Sequence, residues 1–390
     1  MSAPDDITAR LSGLARAIEP SQIRALRDLA GPDCLDLGLG QTDLPVHPAV
    51  VEAGQRALSR GLAPYGPNLG IAPLREAVGR RYGIDAAEVM VTCGVQEGLA
   101  VALLGLVEPG DEVLVPDPGF VAYPNLVRMA GATPVPYPLD PAQGWRLDPE
   151  AVAARITPRT RAILLNSPSN PTGATHAEAD LAAVLRLCET HDLLWISDEI
   201  YEDYVYEGAT HHSPADWPEH RARGVRISGV SKAHHMMGWR VGWLTGPPAL
   251  VEGLKGLHQH LVTCAPTIAQ HMAVAALAHH EEVVAQSLEI FTARRAQILA
   301  ALDETPGLSY VPPTGAFYVF ADVRAVLGGH RRASSAALAH ELVHDARVVT
   351  IPGEGFGRAG EGWLRLAYTI DEAPLGEALR RVQRALGAGA

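Results

Sequence analysis

Lysine is nearly absent from this chain of 390 residues. Of its 32 lysines and arginines, only Lys232 and Lys255 are lysines. Arginine stays protonated at any physiological pH and cannot act as an amine nucleophile, whereas lysine can. Codon preference is a sufficient reason for the scarcity of lysine. The scarcity nevertheless leaves just two candidates for covalent chemistry through a side-chain amine.

Other features that the sequence lacks exclude whole classes of protein. The four cysteines show no C-x-x-C spacing, so neither a disulfide framework nor a zinc site is predicted. No apolar run approaches the roughly 18 residues that cross a bilayer, and the N-terminus lacks the charged and then apolar order of a signal peptide. We therefore expect a cytoplasmic protein without a membrane segment.

Charge and histidine patterns point away from nucleic acid and metal. The net charge is −12 and no dense stripe of basic residues occurs, which disfavours nucleic acid as a partner. Three pairs of adjacent histidines occur, at 211–212, 234–235 and 279–280, but adjacent side chains point apart on a strand or a helix, so no metal site is predicted from them.

The chain length favours two domains, and the middle of the chain alternates strands with helices. This alternation predicts a mainly parallel sheet covered by helices on both faces. After Pro248 the pattern is helical to about Ala301, and the chain ends as an α+β region with strands predicted at Gly315–Ala321, Arg347–Pro352 and Trp363–Ala367. The strands predicted in the middle are Val89–Cys93, Glu112–Pro116, Ala162–Asn166, Leu193–Ser197, Gly224–Gly229 and Val241–Thr245.

Two polar segments directly follow apolar strands. Asn166–Gly173 contains Asn-Pro and Thr-Gly pairs, which mark a turn, and Asn170 in it can donate its amide to a ligand. Ser197–Tyr201 places Asp198 at a strand end, where open α/β sheets bind ligands. Each segment also has a purely structural interpretation, as a turn and as a helix N-cap respectively.

Two cations lie in apolar surroundings. Lys232 has apolar flanks and is followed eight residues later by Arg240, whereas Lys255 occupies an ordinary exposed helix position. Arg365 lies inside an apolar strand, where it needs either an internal acid or a bound carboxylate.

Together these segments resemble the class I/II aminotransferases, which are fold-type I pyridoxal-phosphate enzymes. The resemblance spans nearly the whole chain and includes Leu37–Pro45 and Pro64–Gly70. The spacings match the family pattern: 28 residues from Asn170 to Asp198, three from there to Tyr201, and eight from Lys232 to Arg240. The resemblance implies a large cofactor-binding domain at 46–285 and a small α+β domain made of 1–45 and 286–390.

The resemblance also implies a role for each matching residue. Lys232 forms the Schiff base with the cofactor and shuttles the proton. Asp198 stabilises the protonated pyridine nitrogen, Asn170 and Tyr201 hydrogen-bond the ring oxygen, and Phe120 stacks on the ring. For the cofactor phosphate the implied ligands are Gly94, Val95, Gln96, Ser231, Arg240 and, from the partner subunit of a homodimer, Tyr65.

For the substrate, the resemblance implies that Arg365 binds the α-carboxylate, with help from Gly40 and Asn170. Gly229 stands where some family members carry a phosphate-binding serine. No basic residue other than histidine lies in 258–265, the region expected to line the partner's side-chain pocket. We therefore expect neutral or aromatic amino acids, rather than aspartate or glutamate, as amino donors to a 2-oxo acid.

Three alternatives stay open at this point. The same residues serve lyases, decarboxylases and cyclases of the superfamily, because the sequence does not reveal which α-bond is broken. An effector-sensing regulator of this fold needs an added DNA-binding domain, and only about 30 residues precede the first family motif. A nicotinamide oxidoreductase is disfavoured because no G-x-G-x-x-G follows a strand.

Overall fold

The computed structural model describes residues 7–18, 22–61, 64–329 and 331–387. Parts of the predicted small domain, at 1–6, 19–21, 330 and 388–390, lie outside these residues. In chain order the strands are β1 (Leu35–Asp36), β2 (Val89–Thr92), β3 (Glu112–Asp117), β4 (Thr133–Pro138), β5 (Thr160–Asn166), β6 (Leu194–Asp198), β7 (Gly224–Gly229), β8 (Gly242–Thr245), β9 (Ser309–Tyr310), β10 (Tyr318–Asp322), β11 (Val348–Val349), β12 (Ile351–Pro352) and β13 (Trp363–Ala367).

Helices cover the sheets and fill most of the remaining chain. In chain order they are α1 (Gly13–Ala17), α2 (Gln22–Asp28), α3 (Pro48–Ser59), α4 (Ala72–Tyr82), α5 (Val95–Leu106), α6 (Ala122–Met129), α7 (Pro149–Ala153), α8 (Glu178–Thr190), α9 (Pro248–Val262), α10 (Thr267–Ala278), α11 (His280–Asp303), α12 (Ser335–Glu341) and α13 (Glu372–Gly387). None of the helices in the described part of the chain is long and apolar enough to cross a membrane.

A seven-stranded sheet forms the centre of the molecule, in the order β2-β8-β7-β6-β5-β3-β4. Strand β8 runs opposite to the other six strands, which all share one direction, so the predicted mainly parallel α/β architecture is confirmed. All six strands predicted between 89 and 245 are present, with ends shifted by at most two residues. The strand that the sequence failed to predict is β4, whose Thr-Pro-Val-Pro-Tyr-Pro composition fits an edge strand, because proline cannot donate to a further neighbour.

Alternating side chains of the strands enter two separate cores. On β5, Ala162 and Leu164 pack with α5, α6 and α9, while Ile163 and Leu165 face α8. Because both faces are covered, the middle of β5 is apolar at every position from Ala162 to Leu165, as buried parallel strands require.

The C-terminal region contains a four-stranded sheet in the order β12-β13-β10-β9 and the short pair β1-β11. The single strand predicted at Arg347–Pro352 is divided into β11 and β12, which pair with different partners. Helix α12 ends at Glu341, and the chain continues as a π-helical turn over Leu342–Ala346. N-terminal residues Leu26 and Leu37 share one core with this region.

Two polar residues and a loop meet at one edge of the central sheet. Asn166 and Asp198 end the parallel strands β5 and β6, and they lie opposite each other in the register. The loop from β2 into α5 reaches the same edge. The predicted domain boundary at 285 falls inside α11, which continues without a break, and the division into domains stays a prediction.

Candidate active site

A cavity of about 340 Å³ opens at this edge of the sheet. Of the residues singled out from the sequence, it collects all except Gly94 and Tyr65 as lining residues. Its lining comprises Leu39, Gly40, Gln41, Val95, Gln96, Leu99, Phe120, Tyr123, Asn166, Asn170, Asp198, Ile200, Tyr201, Ser231, Lys232, Met237, Arg240, Tyr318 and Arg365.

Lys232 lies in the turn that follows β7 and presents its amine to the cavity. Its Nζ donates a hydrogen bond to the carbonyl oxygen of Gly40 at 2.5 Å, and its own carbonyl accepts one from Tyr204 at 3.0 Å. Burial, together with the positive charges of Arg365 and Arg240, lowers the pKa of Lys232 to about 8. A substantial neutral fraction of this amine is therefore present near physiological pH.

Asp198 ends β6 and is 3% exposed. Its carboxylate accepts hydrogen bonds from the hydroxyl of Tyr123 at 2.8 Å and from the backbone N–H of Ile200 at 3.3 Å. Burial raises the pKa of Asp198 to about 6, and both hydrogen bonds oppose that rise by stabilising the anion. The cavity thus contains an acid that is ionised at neutral pH.

The other acids near Asp198 point away from the cavity. Glu199 is fully buried and pairs with Arg226 and His211, each at 3.2 Å. Glu202 accepts from the hydroxyl of Tyr82 at 2.6 Å. Of the three polar residues Ser197–Glu199, only Asp198 lines the cavity. The chain after Asp198 forms a turn and not an α-helix, so the alternative interpretation as a helix N-cap is wrong.

The loop before α5 forms a cradle for an anion. Helix α5 begins at Val95, and Gly94 is its N-cap with φ of 82°. The positive φ favours glycine, and a Cβ at Gly94 would lie 2.5 Å from a guanidinium nitrogen of Arg240, so any larger residue would displace that guanidinium. The free N–H groups of the first helical turn and this guanidinium suit a phosphate.

The structure also explains why position 229 is a glycine rather than a serine. It lies opposite Gly242 in the β7–β8 ladder. A Cβ at Gly229 would meet the Cα of Gly242 at 2.7 Å, so the close approach of the two strands excludes a side chain.

Arg365, in the middle of β13, is 2% exposed. Its guanidinium donates to the side-chain oxygen of Asn170 at 2.8 Å and to the carbonyl oxygen of Gly38 at 2.5 Å. Its Nε has no hydrogen-bond partner in the described structure, and no described carboxylate forms an ion pair with it. A buried cation with only neutral partners is suited to bind an anion that enters the cavity.

Sequence reasoning missed two tyrosines in the lining. Tyr123 lies three residues after Phe120, on the first turn of α6, and the two rings meet edge to face at 5.5 Å. Tyr318 begins β10 and shares a 2.7 Å hydrogen bond with Tyr201. Helical spacing from Phe120 was a usable signal for Tyr123, whereas nothing local in the sequence marks Tyr318.

Tyr65 is the predicted site residue that the structure keeps apart from the others. It is 87% exposed and does not line the cavity. In the same segment, Asn68 donates to the carbonyl oxygen of Thr263 at 2.7 Å. The tyrosine thus projects from the surface beside a contact with the chain segment that follows α9.

The groups present in the cavity fit pyridoxal phosphate. The donor set combines a lone amine, a buried carboxylate and, at the N-terminus of α5, a cradle that a Cβ at Gly94 would fill. These match the aldehyde, the basic ring nitrogen and the phosphate of that cofactor in turn.

Comparisons with known proteins agree with this fit. Residues 32–382 match the family model for aminotransferase class I and II. Aromatic-amino-acid aminotransferase 2 of Thermococcus litoralis is 35% identical, with 96% of this chain and 98% of that protein covered. Aspartate aminotransferase of Geobacillus stearothermophilus is 36% identical, with 93% of each chain covered.

A solved structure shows the same fold. The aspartate aminotransferase of Thermus thermophilus with maleate superposes with a TM-score of 0.89 at 35% identity, covering 96% of this chain and 99% of that one. The predictions of family, fold and cofactor are confirmed. This chain belongs to the class I and II aminotransferases, and it is a pyridoxal-phosphate-dependent aminotransferase.

Proposed function

We propose that this aminotransferase takes amino groups from neutral or aromatic amino acids, which carry a single carboxylate, and transfers them to a 2-oxo acid. The observation that carries this proposal is the presence of one buried cation, Arg365, that has only neutral partners in the cavity. The other cations of the lining, Lys232 and Arg240, have separate tasks.

Lys232 has the central chemical task. Pyridoxal phosphate, when bound, supplies an aldehyde that condenses with amines and a ring that takes up the electron pair released at the substrate α-carbon. Lys232 is the side chain that would bond to the cofactor, and its free amine would hold and move the α-proton at Nζ. Its lowered pKa supports this task, because a neutral amine is needed both to bond and to accept a proton.

Asp198 holds a proton on the ring nitrogen of the cofactor, because its buried carboxylate favours the cation beside it. Tyr201 and Asn170 would donate hydrogen bonds to the ring oxygen, and Phe120 would stack on the ring. The positions of all four side chains around one cavity support these assignments.

The cofactor phosphate would be held at the start of α5. Backbone N–H groups of Gly94, Val95 and Gln96 would donate to it, and Arg240 and Ser231 would add side-chain hydrogen bonds. Ser231 is buried and Arg240 lies against Gly94, which supports this grouping.

The substrate carboxylate pairs with Arg365, which is oriented by Asn170, while the Gly40 backbone borders the same space. A second carboxylate would find no free cation among the described lining residues. His258, in the region that borders the partner's pocket, is fully buried and pairs with Glu97 at 2.9 Å, so it is not available. The relatives' names include both aromatic and aspartate aminotransferases and do not decide between the two substrate classes.

A panel of amino donors tests the substrate class. We expect kcat/KM for phenylalanine, tyrosine and leucine to exceed that for aspartate by at least about 10-fold, because an unpaired desolvated carboxylate costs more than 1.4 kcal/mol. The conversion of the bound cofactor from its aldehyde to its amine form, followed by absorbance, gives the rates. Faster turnover of aspartate than of every neutral donor would contradict the proposal.

The two lysines provide a matched pair of variants. Lys232→Ala is expected to lower kcat by at least about 10²–10⁴-fold, since it removes the group that transfers the proton. Lys255→Ala is expected to keep native turnover, because Lys255 is 37% exposed and pairs only with Glu252. Loss of activity in the second variant alone would mean that the wrong lysine had been assigned.

Tyr123 controls the pH dependence of cofactor binding through Asp198. Its hydrogen bond stabilises the ionised carboxylate, so Tyr123→Phe raises the pKa of Asp198 above its native value of about 6. Since cofactor binding favours the anion, affinity falls as pH drops through this pKa, and the fall in the variant begins at higher pH. Cofactor affinity measured between pH 5 and pH 8 checks this; coincident native and variant profiles would refute it.

We also propose a cytoplasmic homodimer in which Tyr65 donates to the phosphate held by the partner subunit. The exposure of Tyr65 on the surface supports the dimer. The four cysteines are all free, which suits a reducing compartment.

Sedimentation tests the dimer and is expected to give twice the chain mass of 41.4 kDa. Tyr65→Phe is expected to weaken cofactor binding by about 2- to 10-fold; a fully active monomer would exclude the shared site.

A further inference from the structure

Tyr318 lines the cavity and has no assigned role. The side chain is 1% exposed, and its hydroxyl oxygen lies 2.7 Å from that of Tyr201. Burial raises the pKa of both phenols, so each carries its proton throughout the physiological range. Two protonated phenols in contact must share one hydrogen bond, with one as donor and the other as acceptor.

The ring of Tyr318 supports the carboxylate-binding arginine. The central carbon of the Arg365 guanidinium lies 4.4 Å from the centre of this ring. The register explains the contact: Arg365 on β13 lies opposite Phe320 on β10, so Tyr318 is its diagonal neighbour on the same face. A cation over an aromatic face is attracted by the ring quadrupole.

The backbone at Gly40 leaves room for the Tyr318 hydroxyl. A Cβ at Gly40 would lie 1.8 Å from that oxygen, which is far inside van der Waals contact. The carbonyl of the same glycine accepts from Nζ of Lys232. Tyr318 therefore contacts Tyr201 and Arg365 directly, and it lies against Gly40, whose carbonyl binds Lys232.

We propose that Tyr318 is a positioning residue that donates its phenolic proton to Tyr201 and steadies Arg365 with its ring. A phenol has one proton to donate. Tyr201 can direct its proton to the ring oxygen of the cofactor only if it accepts, rather than donates, in its contact with Tyr318. The inference deepens the proposed function, because it rests on the roles given there to Tyr201 and Arg365.

Tyr318→Phe tests the hydroxyl while keeping the ring. Weaker donation by Tyr201 to the ring oxygen favours the protonated form of the cofactor's bond to lysine. The apparent pKa of the bound cofactor's visible absorbance is therefore expected to rise by about 0.5, in the same direction as in Tyr201→Phe but by less. We expect kcat to fall by about 2- to 10-fold, with KM for the amino acid within about twofold of native.

A double variant and a ring-deletion variant separate the two contacts. Tyr201→Phe combined with Tyr318→Phe is expected to titrate like Tyr201→Phe alone, because the two hydroxyls act through one hydrogen bond. Tyr318→Leu also removes the ring from Arg365, so KM is expected to rise in that variant as well.

A second buried tyrosine pair provides the control. Tyr368 donates to the hydroxyl of Tyr206 at 3.0 Å, and neither residue lines the cavity. Tyr368→Phe removes a comparable buried hydrogen bond and is expected to leave the absorbance titration at its native position. An equal shift in this variant would mean that loss of any buried phenol perturbs the site, and it would overturn the proposal.

Gly40→Ala tests the same pairing without altering either tyrosine. The added methyl group is expected to displace the Tyr318 hydroxyl and so to raise the apparent pKa of the cofactor absorbance. The same substitution made in the Tyr318→Phe variant is expected to raise that pKa by less than it does in the native protein. If Tyr201→Phe shifts the titration and Tyr318→Phe does not, the role of Tyr318 is wrong and the proposed function stands. If Tyr201→Phe itself has no effect, the assigned role of Tyr201 fails, and this inference fails with it.

Discussion

The burial of one amine among other cations is the constraint on which the site depends. The amine of Lys232 shares its cavity with Arg365 and Arg240, and removal from water together with this repulsion lowers its pKa to about 8. Asp198 is the acid that offsets this positive charge from within the lining. A cavity with this balance favours anionic ligands, and the cofactor phosphate and a substrate carboxylate supply the missing negative charge.

The fold keeps the neighbouring charges out of this cavity. The end of β6 and the turn after it place Asp198 and Tyr201 in the cavity lining. Outside that lining, Glu199 pairs with Arg226 and Glu202 accepts a hydrogen bond from Ser228. Unpaired buried carboxylates would be costly, and in the cavity they would raise the pKa of Lys232 and compete for Arg365. The pairing of Glu199 and Glu202 outside the cavity therefore preserves the balance of charge around Lys232.

Much of this arrangement could be predicted from the sequence, because it follows from the chain's local pattern. Apolar strands between helices indicate the parallel sheet, and the polar residues that end β5 and β6 mark its ligand edge. Strand β4 was missed because three prolines mask its pattern. Tyr318 could not be found locally, since its role depends on Gly40 and Arg365, which are distant in sequence. The direction of Glu199, away from the ligand edge, likewise depends on Arg226 and His211.

Chemical trapping tests the central claim most directly. The purified protein, loaded with pyridoxal phosphate, is treated with borohydride, which converts a covalent bond between the cofactor and a lysine into a stable one, and is then digested and mapped by mass spectrometry. The account predicts the cofactor mass on the peptide that contains Lys232 and none on the peptide that contains Lys255. Label on Lys255, or a protein that takes up no cofactor at all, would contradict it.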